Sequence, residues 1–440
     1  MYYRTLLLTI LCNLYFCFNI YSQTLQWRTL PNSPSAGISR LDDVFFVNAE
    51  TGWTISSEGR VFRTTNGGGS WDTALVSADG LRSIGFFDPE NGILGTLSTD
   101  SNKVMYRTTN HGVNWSVVTN FPAPWPMGIC GIFILNENAA FACGRFSLPA
   151  RIVKTTDKGA TWTASLVDTS LANALVDCYF WDENNGIAVG GHSATGSFIG
   201  SFSVVLKTTD GGSTWVRVFR SPRQFEQCWK ISYRPGGSVF VSVERYGSGI
   251  SNILKSTDLG SQWSEIPFRT YREQGIGFIN ENTGWIGGQD LNNYETTNGG
   301  GEWHLAGWGF RVNRIRFLND TLAYAAGLRV YKFSRETVGI NFISGVIPES
   351  YSLQQNYPNP FNPVTKIKFD VPSDAKSQQS NVKMTVFDVM GREVMTIVNE
   401  KLSPGSYEAD FDGSNFPSGI YFYKLEAGSF VETKRMVLLK

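Results

Sequence analysis

The feature that most constrains the fold is a short segment that recurs six times between residues 64 and 303. Its copies read TTNGGGSW (64–71), TTNHGVNW (108–115), TTDKGATW (155–162), TTDGGSTW (208–215), STDLGSQW (256–263) and TTNGGGEW (296–303). Their tryptophans lie 44, 47, 53, 48 and 40 residues apart. A four-stranded propeller blade occupies roughly 40–50 residues, so this period predicts an all-β propeller.

Each copy has the residue types of a locked hairpin. A short acceptor side chain can bind backbone N–H groups in a turn, Gly tolerates positive φ, and Trp can bury its ring beneath the hairpin. The acceptors are Asn66, Asn110, Asp157, Asp210, Asp258 and Asn298, and the tryptophans are Trp71, Trp115, Trp162, Trp215, Trp263 and Trp303. We interpret all of them as structural. Calcium binding or acid catalysis is disfavoured because Asn replaces Asp in three copies and a lone carboxylate binds calcium poorly.

The order Thr or Ser, Asp or Asn, Gly and Trp resembles the Asp-box of sialidases and related propellers. The longer run GWTISSEGRVFRTTNGGGSW (52–71) resembles the photosystem II assembly factor family of seven-bladed propellers. Both resemblances concern the repeat. They imply the fold and suggest protein binding, without implying a photosynthetic role.

A seventh blade is predicted from the two ends of the repeat region. Residues 313–333 repeat the first three strands of a blade but end without a box, whereas LQWRTLP (25–31) resembles the segment after each box tryptophan. Trp27 also precedes Trp71 by 44 residues. We therefore predict a propeller over residues 23–335 in which an N-terminal strand completes the last blade and removes an exposed sheet edge.

The first 22 residues are predicted to be a secretory signal peptide. Arg4 provides a positive start, residues 6–20 are largely apolar, and the small Ser22 precedes the mature start. A membrane anchor is the alternative, but Asn13 and Asn19 interrupt the apolar run. We predict no transmembrane anchor elsewhere in the chain.

The C-terminal part is predicted to be a separate β domain. Residues 336–349 are predicted to be a linker, and residues 350–440 alternate apolar and polar positions between Gly, Pro and Asn turns, which is typical of an immunoglobulin-like sandwich. Its motifs are YPNPFNP (357–363), FDVMGREV (387–394), SGIYFYKL (418–425) and KRMVLLK (434–440). Together they resemble the C-terminal sorting domain of type IX secretion cargo. That resemblance implies recognition by the type IX machinery, cleavage of the domain, and a released or surface-attached product.

Charge and cysteine content exclude several classes of function. Lys plus Arg equals Asp plus Glu, at 38 each, and no run of like charge occurs, so we expect no nucleic-acid partner. Once the signal peptide is removed, Cys130, Cys143, Cys178 and Cys228 remain, predicted as buried free thiols, although an oxidising compartment leaves three full pairings open. Their spacing and the three histidines fit no metal site, and no cofactor is expected.

Ligand contacts are predicted around the central channel. Aligning the blades on their first hairpin turn places five residues near the start of the innermost strands: Asp42, Arg82, Asp177, Trp229 and Arg314. The loops expected at that end vary from blade to blade, at 97–103, 145–151, 191–203 and 244–252. Variable loops on a rigid scaffold are typical of a binding face, so we predict a protein or glycan ligand there.

A secreted glycosidase, sialidase-like or xyloglucan-cleaving, is the alternative function. Arg40, Arg82 and Arg314 could bind a sugar carboxylate, with Asp42 or Asp43 as the acid. However, the Phe/Tyr-Arg-Ile/Leu-Pro motif that opens sialidase domains is absent, and no Tyr with a partner carboxylate is recognisable. We therefore predict binding without catalysis.

Overall fold

The computed structural model describes most of the chain after residue 24. The described residues are 25–440 except 31, 36–38, 76, 78, 101, 120, 122, 124–126, 145–148, 194–199, 235, 247–248, 269–271, 290–291, 335–339, 345–346, 374–379 and 414–415. The predicted signal peptide, residues 1–22, lies outside them. Nine four-stranded antiparallel sheets are formed by the described residues, and no helix occurs among them.

Seven of the sheets are the blades of a propeller. The first strand is β1 (Gln26–Thr29), and blade 1 contains β2 (Leu41–Phe46), β3 (Gly52–Ser56), β4 (Arg60–Thr64) and β5 (Asp72–Leu75). Blade 2 contains β6 (Leu81–Phe86), β7 (Gly92–Thr96), β8 (Met105–Thr108) and β9 (Ser116–Val117). Blade 3 contains β10 (Ile129–Ile134), β11 (Ala140–Gly144), β12 (Arg151–Thr155) and β13 (Thr163–Leu166). Blade 4 contains β14 (Ala174–Phe180), β15 (Gly186–His192), β16 (Phe202–Thr208) and β17 (Val216–Arg220); blade 5 contains β18 (Glu226–Tyr233), β19 (Val239–Arg245), β20 (Ser251–Ser256) and β21 (Ser264–Phe268). Blade 6 contains β22 (Glu273–Phe278), β23 (Gly284–Gly288), β24 (Tyr294–Thr296) and β25 (His304–Leu305); blade 7 contains β26 (Arg314–Asn319), β27 (Leu322–Ala326), β28 (Val330–Ser334) and β1.

The N-terminal strand closes the ring, as predicted. β1 pairs antiparallel with β28, and Trp27 lies opposite Phe333. The Trp27 ring stacks on Trp308 at 4.2 Å and contacts Trp285 edge-on at 5.6 Å. The prediction that Trp27 packs beside the sheet formed by residues 313–333 is therefore confirmed.

Neighbouring blades are joined by stacked aromatic rings. Four such pairs have centroids 3.4–3.6 Å apart: Phe46 with Tyr324, Trp53 with Phe86, Phe141 with Phe180, and Phe240 with Phe278. In each pair the innermost strand of one blade provides a Phe to the second strand of the preceding blade. The Phe also lies over a Gly on its own hairpin, since a Cβ at Gly52 would come 2.4 Å from the Phe46 ring. The same contact occurs at Gly92, Gly186 and Gly284, which explains why the second strand of these blades begins with Gly.

The Asp-boxes form six hairpins with the same hydrogen bonds. In the fourth box, the Gly212 N–H donates to Thr208 Oγ1 at 3.0 Å and the Thr214 N–H donates to Asp210 Oδ1 at 2.8 Å. Equivalent bonds occur in the other five boxes, whether Asp or Asn provides the acceptor. Gly212 has a φ of 84°, where a glycine is required. The boxes therefore fix backbone geometry.

The C-terminal domain is a sandwich of two sheets. Its strands are β29 (Ile340–Ser344), β30 (Ser352–Leu353), β31 (Val364–Val371), β32 (Ser380–Phe387), β33 (Glu393–Leu402), β34 (Gly405–Asp412), β35 (Gly419–Ala427) and β36 (Phe430–Leu438). The sheet orders are β29-β34-β31-β30 and β33-β32-β35-β36, and between them lies an apolar core that includes Ile367, Phe369 and Met384.

Two further predictions, on the linker and on the cysteines, have different outcomes. Residues 336–349 were predicted to be a linker, but their segment 340–344 is β29, which pairs with β34. The prediction was wrong there because residues 340–344 form a strand by pairing with β34, which lies about 65 residues further along the chain and is not indicated by the local sequence. The four cysteines are free and buried in the structure, as predicted.

We predict that Trp27→Ala destabilises the mature chain by about 3–5 kcal/mol in urea unfolding, because the variant removes a buried ring and weakens ring closure. Trp27 is only 7% exposed. Val216→Ala is the matched control, since Val216 is 66% exposed on an outer strand and the change should stay within about 0.5 kcal/mol. Equal effects of the two variants would contradict the closing role of β1.

We predict that Thr208→Val costs about 1–3 kcal/mol in the same measurement, because the buried Gly212 N–H loses its acceptor. The control is Asp210→Asn, which should leave the unfolding midpoint nearly unchanged because Asn fills this place in three other boxes. A large loss in the Asn variant would show that the carboxylate has a role beyond the hairpin.

Candidate functional site

Two successive positions of the innermost strands form two rings of side chains in the central channel. Blades 1 to 6 each have a register shift near the start of the innermost strand, where extra residues bulge against the second strand. The bulge ring comprises Asp42, Arg82, Cys130, Val176, Trp229, Gln274 and Asn313. The second ring, one residue further along, comprises Asp43, Ser83, Gly131, Asp177, Lys230, Gly275 and Arg314.

The bulge ring is crossed by a contact between blades 2 and 5. Arg82 Nη1 donates to Asp42 Oδ1 at 2.5 Å, and the Arg82 guanidinium lies 4.9 Å from the Trp229 ring centroid. Asp42 also accepts from Arg40 Nε at 3.1 Å. Because blades 2 and 5 lie on opposite sides of a seven-membered ring, this contact fills the channel.

The second ring is crossed by an ion pair between blades 7 and 4. Arg314 donates twice to the Asp177 carboxylate, at 2.9 and 3.2 Å, and Arg314 Nε lies 3.2 Å from Asp43. Two members of this ring are glycines, Gly131 and Gly275, where a Cβ would come 2.6–2.7 Å from the backbone of the next blade. The glycines therefore allow the innermost strands of neighbouring blades to approach closely.

Asp43 is held ionised by two arginines. Burial raises the pKa of the Asp43 carboxyl, but the charges of Arg316 and Arg314 outweigh burial and hold that pKa at about 2. Arg316 binds both carboxylate oxygens, at 3.1 and 2.8 Å. The Asp177 pKa is likewise lowered, because Arg314 and Lys230 outweigh its burial. Both acids are therefore anions across the physiological pH range.

The five predicted ligand residues all lie inside the channel. Asp42, Arg82, Asp177, Trp229 and Arg314 are each at most 5% exposed and contact one another or neighbouring channel residues. Aligning the blade sequences on the hairpin turn treated two adjacent strand positions as one. Asp42, Arg82 and Trp229 belong to the bulge ring, whereas Asp177 and Arg314 belong to the second ring. Whether any of the five contacts a ligand stays a prediction.

Sequence reasoning missed several channel residues, including the polar or charged Lys230, Glu244, Gln274 and Arg316. Lys230 follows Trp229 directly and Gln274 is the second residue of the innermost strand of blade 6, so an alignment that allowed a bulge would have found both. Glu244 lies on a second strand and acts on Arg82 and Arg40 through space, which the sequence pattern does not indicate.

A cavity of about 550 Å³ opens above the second ring, at the end of the channel formed by the hairpin turns and boxes, here called the turn face. Asp177 and Arg314 line its inner part, and the turn residues Asn48, Ala49 and Asn319 its rim. Between them lie half-buried aromatic rings and two arginines: Phe45, Phe133, Tyr179, Tyr233, Phe317, Arg234 and Arg316. The opposite end, here called the loop face, carries the variable loops, of which 145–148, 194–199 and 247–248 lie outside the described residues.

The cavity wall combines ring faces with cations. Tyr179 lies 4.5 Å from Phe133 and 5.1 Å from Tyr233, measured between centroids. Arg316 lies over Phe45 at 5.3 Å, and Arg234 lies over Phe317 at 5.5 Å while pairing with Asp320. Burial, together with Tyr233, raises the pKa of Tyr179 to about 12, so its hydroxyl stays protonated. Such a surface offers ring faces for stacking and hydrogen-bond donors.

Comparison with known proteins gives a family match for the C-terminal domain and a fold likeness for the propeller. Residues 355–439 match the family described as "Secretion system C-terminal sorting domain". This match confirms the resemblance to type IX cargo, and it marks the protein for export to the cell surface or the extracellular space through recognition by that machinery. No curated protein matches the chain. The part of the chain that the structure describes contains no helix long and apolar enough to cross a membrane.

Solved structures that resemble the chain are β-propellers. YCF48 bound to D1 peptide has a TM-score of 0.53 and 18% identity, covering 70% of this chain and 94% of that one. YCF48 from Cyanidioschyzon merolae has a TM-score of 0.52 and 18% identity, with 70% and 98% covered. The WD40 propeller domain of Doa1 has a TM-score of 0.51 and 10% identity, with 71% and 98% covered. At these identities the likeness establishes the propeller fold alone.

We predict that Arg316→Met lowers stability at pH 7 by about 3 kcal/mol, because Asp43 loses a buried partner. The lowered pKa of Asp43 contributes stability that is present above pH 3.8 and lost as the pH falls toward 2, so the variant should unfold at a higher pH on acid titration. The control is Arg63→Met, whose partner Asp72 is exposed and whose loss should barely change either value. Identical acid unfolding of both variants would contradict the network.

Proposed function

We propose that this exported propeller is a non-enzymatic binding protein that holds a protein segment or a glycan in the turn-face cavity. The observation that carries the proposal is the cavity itself: five aromatic rings and two arginines surround a polar floor. Aromatic and arginine side chains supply much of the affinity at protein interfaces, and ring faces also stack on sugars. A half-buried wall of this composition suits a ligand that enters from solvent.

A peptide is the favoured ligand class. One propeller of similar fold, YCF48, is recorded with a bound D1 peptide, which makes a peptide a reasonable first probe for this chain. The cavity volume of about 550 Å³ falls within the range of sites for small ligands or a few side chains, roughly 300–1,000 Å³. Arg234 and Arg316 already pair with Asp320 and Asp43, so the five aromatic rings would make most of the contacts with such a segment.

The loop face is a second candidate surface, and the sequence favoured it because its loops vary. One structural observation supports it. Phe225 is 47% exposed and has a φ of 66°, a backbone conformation that is costly for an aromatic residue. Ile250 is also exposed there, at 58%. A protein partner that docks on this end of the ring would use these side chains.

The ion pairs of the channel argue against the glycosidase alternative. A sialidase-like site needs three arginines free to bind a sugar carboxylate. Here Arg40 and Arg82 both bind Asp42, and Arg314 binds Asp43 and Asp177. Asp42 and Asp43 are themselves engaged, and neither carboxyl is free to act as an acid. Absence of turnover therefore remains our proposal for this protein.

The test uses the mature full-length chain on arrays of short peptides and of glycans. Tyr233→Ala should weaken capture of the best array probe by about tenfold or more, as expected for an aromatic anchor. Phe225→Ser is the matched control on the loop face and should leave capture unchanged. Circular dichroism of both variants should retain the spectrum of the parent chain.

Two outcomes would contradict the proposal. If Phe225→Ser abolishes capture while Tyr233→Ala does not, the ligand binds the loop face instead of the turn-face cavity. If the parent chain hydrolyses a fluorogenic sialoside or a xyloglucan oligosaccharide, and Arg314→Met removes that turnover, the protein is a glycosidase.

A further inference from the structure

Lys230 is a buried cation of the second ring for which the described residues provide no hydrogen-bond acceptor. It is 1% exposed, and its Nζ atom has no partner within hydrogen-bond distance. Its own backbone is fixed, because the Lys230 N–H donates to Ser242 Oγ at 3.1 Å. The nearest acidic groups are already used, since Asp177 binds Arg314 and Asp43 binds Arg316. The Lys230 ammonium therefore has N–H donors that no described residue accepts.

The cations of the channel differ in their partners. The four arginines Arg40, Arg82, Arg314 and Arg316 have carboxylate partners within 3.2 Å. Lys230 makes no such ion pair among the described residues, and its Nζ atom also has no hydrogen-bond partner there. A buried unpaired charge is costly, so a compensating anion would stabilise the channel.

Lys230 carries this charge at neutral pH. Burial lowers the pKa of its ammonium to about 8, with Arg314 and Arg82 adding to the effect and Asp177 and Asp43 opposing it. The group is therefore mainly protonated at pH 7. A neutral amine would need no counter-ion, but that state dominates only above the lowered pKa.

Other polar atoms of the two rings also lack partners in the described part of the channel. They are Arg82 Nε, Ser83 Oγ, Gln274 Oε1 and Asn313 Oδ1. Two of these, on Arg82 and Ser83, can donate to an anion, and both belong to blade 2. Lys230 Nζ on blade 5 and these two atoms on blade 2 therefore belong to the same pair of channel rings, and none of the three has a partner among the described residues.

We propose that the central channel holds one small monovalent anion, a halide or a formate-sized carboxylate, bound to Lys230 Nζ with help from donors on blade 2. The anion is free, not the end group of a larger ligand, because Lys230 is not among the residues that line the turn-face cavity. The site is thus separate from the proposed ligand cavity. The bound anion would neutralise the charge of the Lys230 ammonium inside the channel.

The test measures thermal unfolding of the mature full-length chain at pH 7 in a low-salt buffer with a bulky counter-ion. Chloride, bromide and formate are added separately, with gluconate at the same ionic strength as the reference. The parent chain should show a saturable rise in unfolding temperature with the small anions and little with gluconate, since binding to the folded state alone stabilises it. Lys230→Met should abolish the difference and raise the unfolding temperature in gluconate.

Lys255→Met is the matched control, because Lys255 lies in the same blade and its Nζ donates to Gly299 O on the turn face. This variant should keep the full response to small anions. An equal response in the parent chain and Lys230→Met, or an equal effect of gluconate and chloride, would overturn the proposal. If Lys230→Met does not fold, the test is the crystal structure of the parent chain in bromide. A channel without anomalous bromide density at Lys230 would also overturn the proposal.

Discussion

The pairing of β1 with β28 is the interaction on which the rest of the structure depends. It joins the N-terminal strand, residues 26–29, to the end of the repeat region and leaves no open edge between blades 7 and 1. Ring closure sets the position of every innermost strand around one axis. The stack of Phe46 on Tyr324 then joins blade 1 to blade 7 as Trp53 and Phe86 join blades 1 and 2.

Closure also explains why the channel is filled with charge. Seven innermost strands bring polar residues of distant blades within hydrogen-bond distance, and the arginines among them pair with carboxylates. Arg314 and Asp177 are separated by 137 residues in the chain yet form a bidentate pair across the axis. Because the arginines of the two rings are used in this way, ligand contacts are more readily made at the ends of the channel. The aromatic turn-face cavity is one such end.

Export depends on the C-terminal domain, whereas the proposed binding site lies in the propeller. The sorting domain has its own apolar core between two sheets, which contains none of the blade residues. The propeller has small cores that lie between successive blades. β29 pairs with β34, so the segment after the last blade belongs to the sandwich. Because the cores are separate, recognition of the sorting domain does not constrain which side chains form the proposed ligand site.

The sequence by itself determined the blade repeat, the number of blades, the closing strand and the sorting domain. Each of these depends on hydrogen bonds, periodicity or motifs within a few residues, as in the turn from Thr208 to Trp215. Only the tertiary structure decided which channel residues meet, that Lys230 lies among them, and that β29 joins the sandwich. Those outcomes depend on bulges that shift the register and on partners from distant parts of the chain. Local patterns specify neither, because a one-residue shift changes which side chains face the axis.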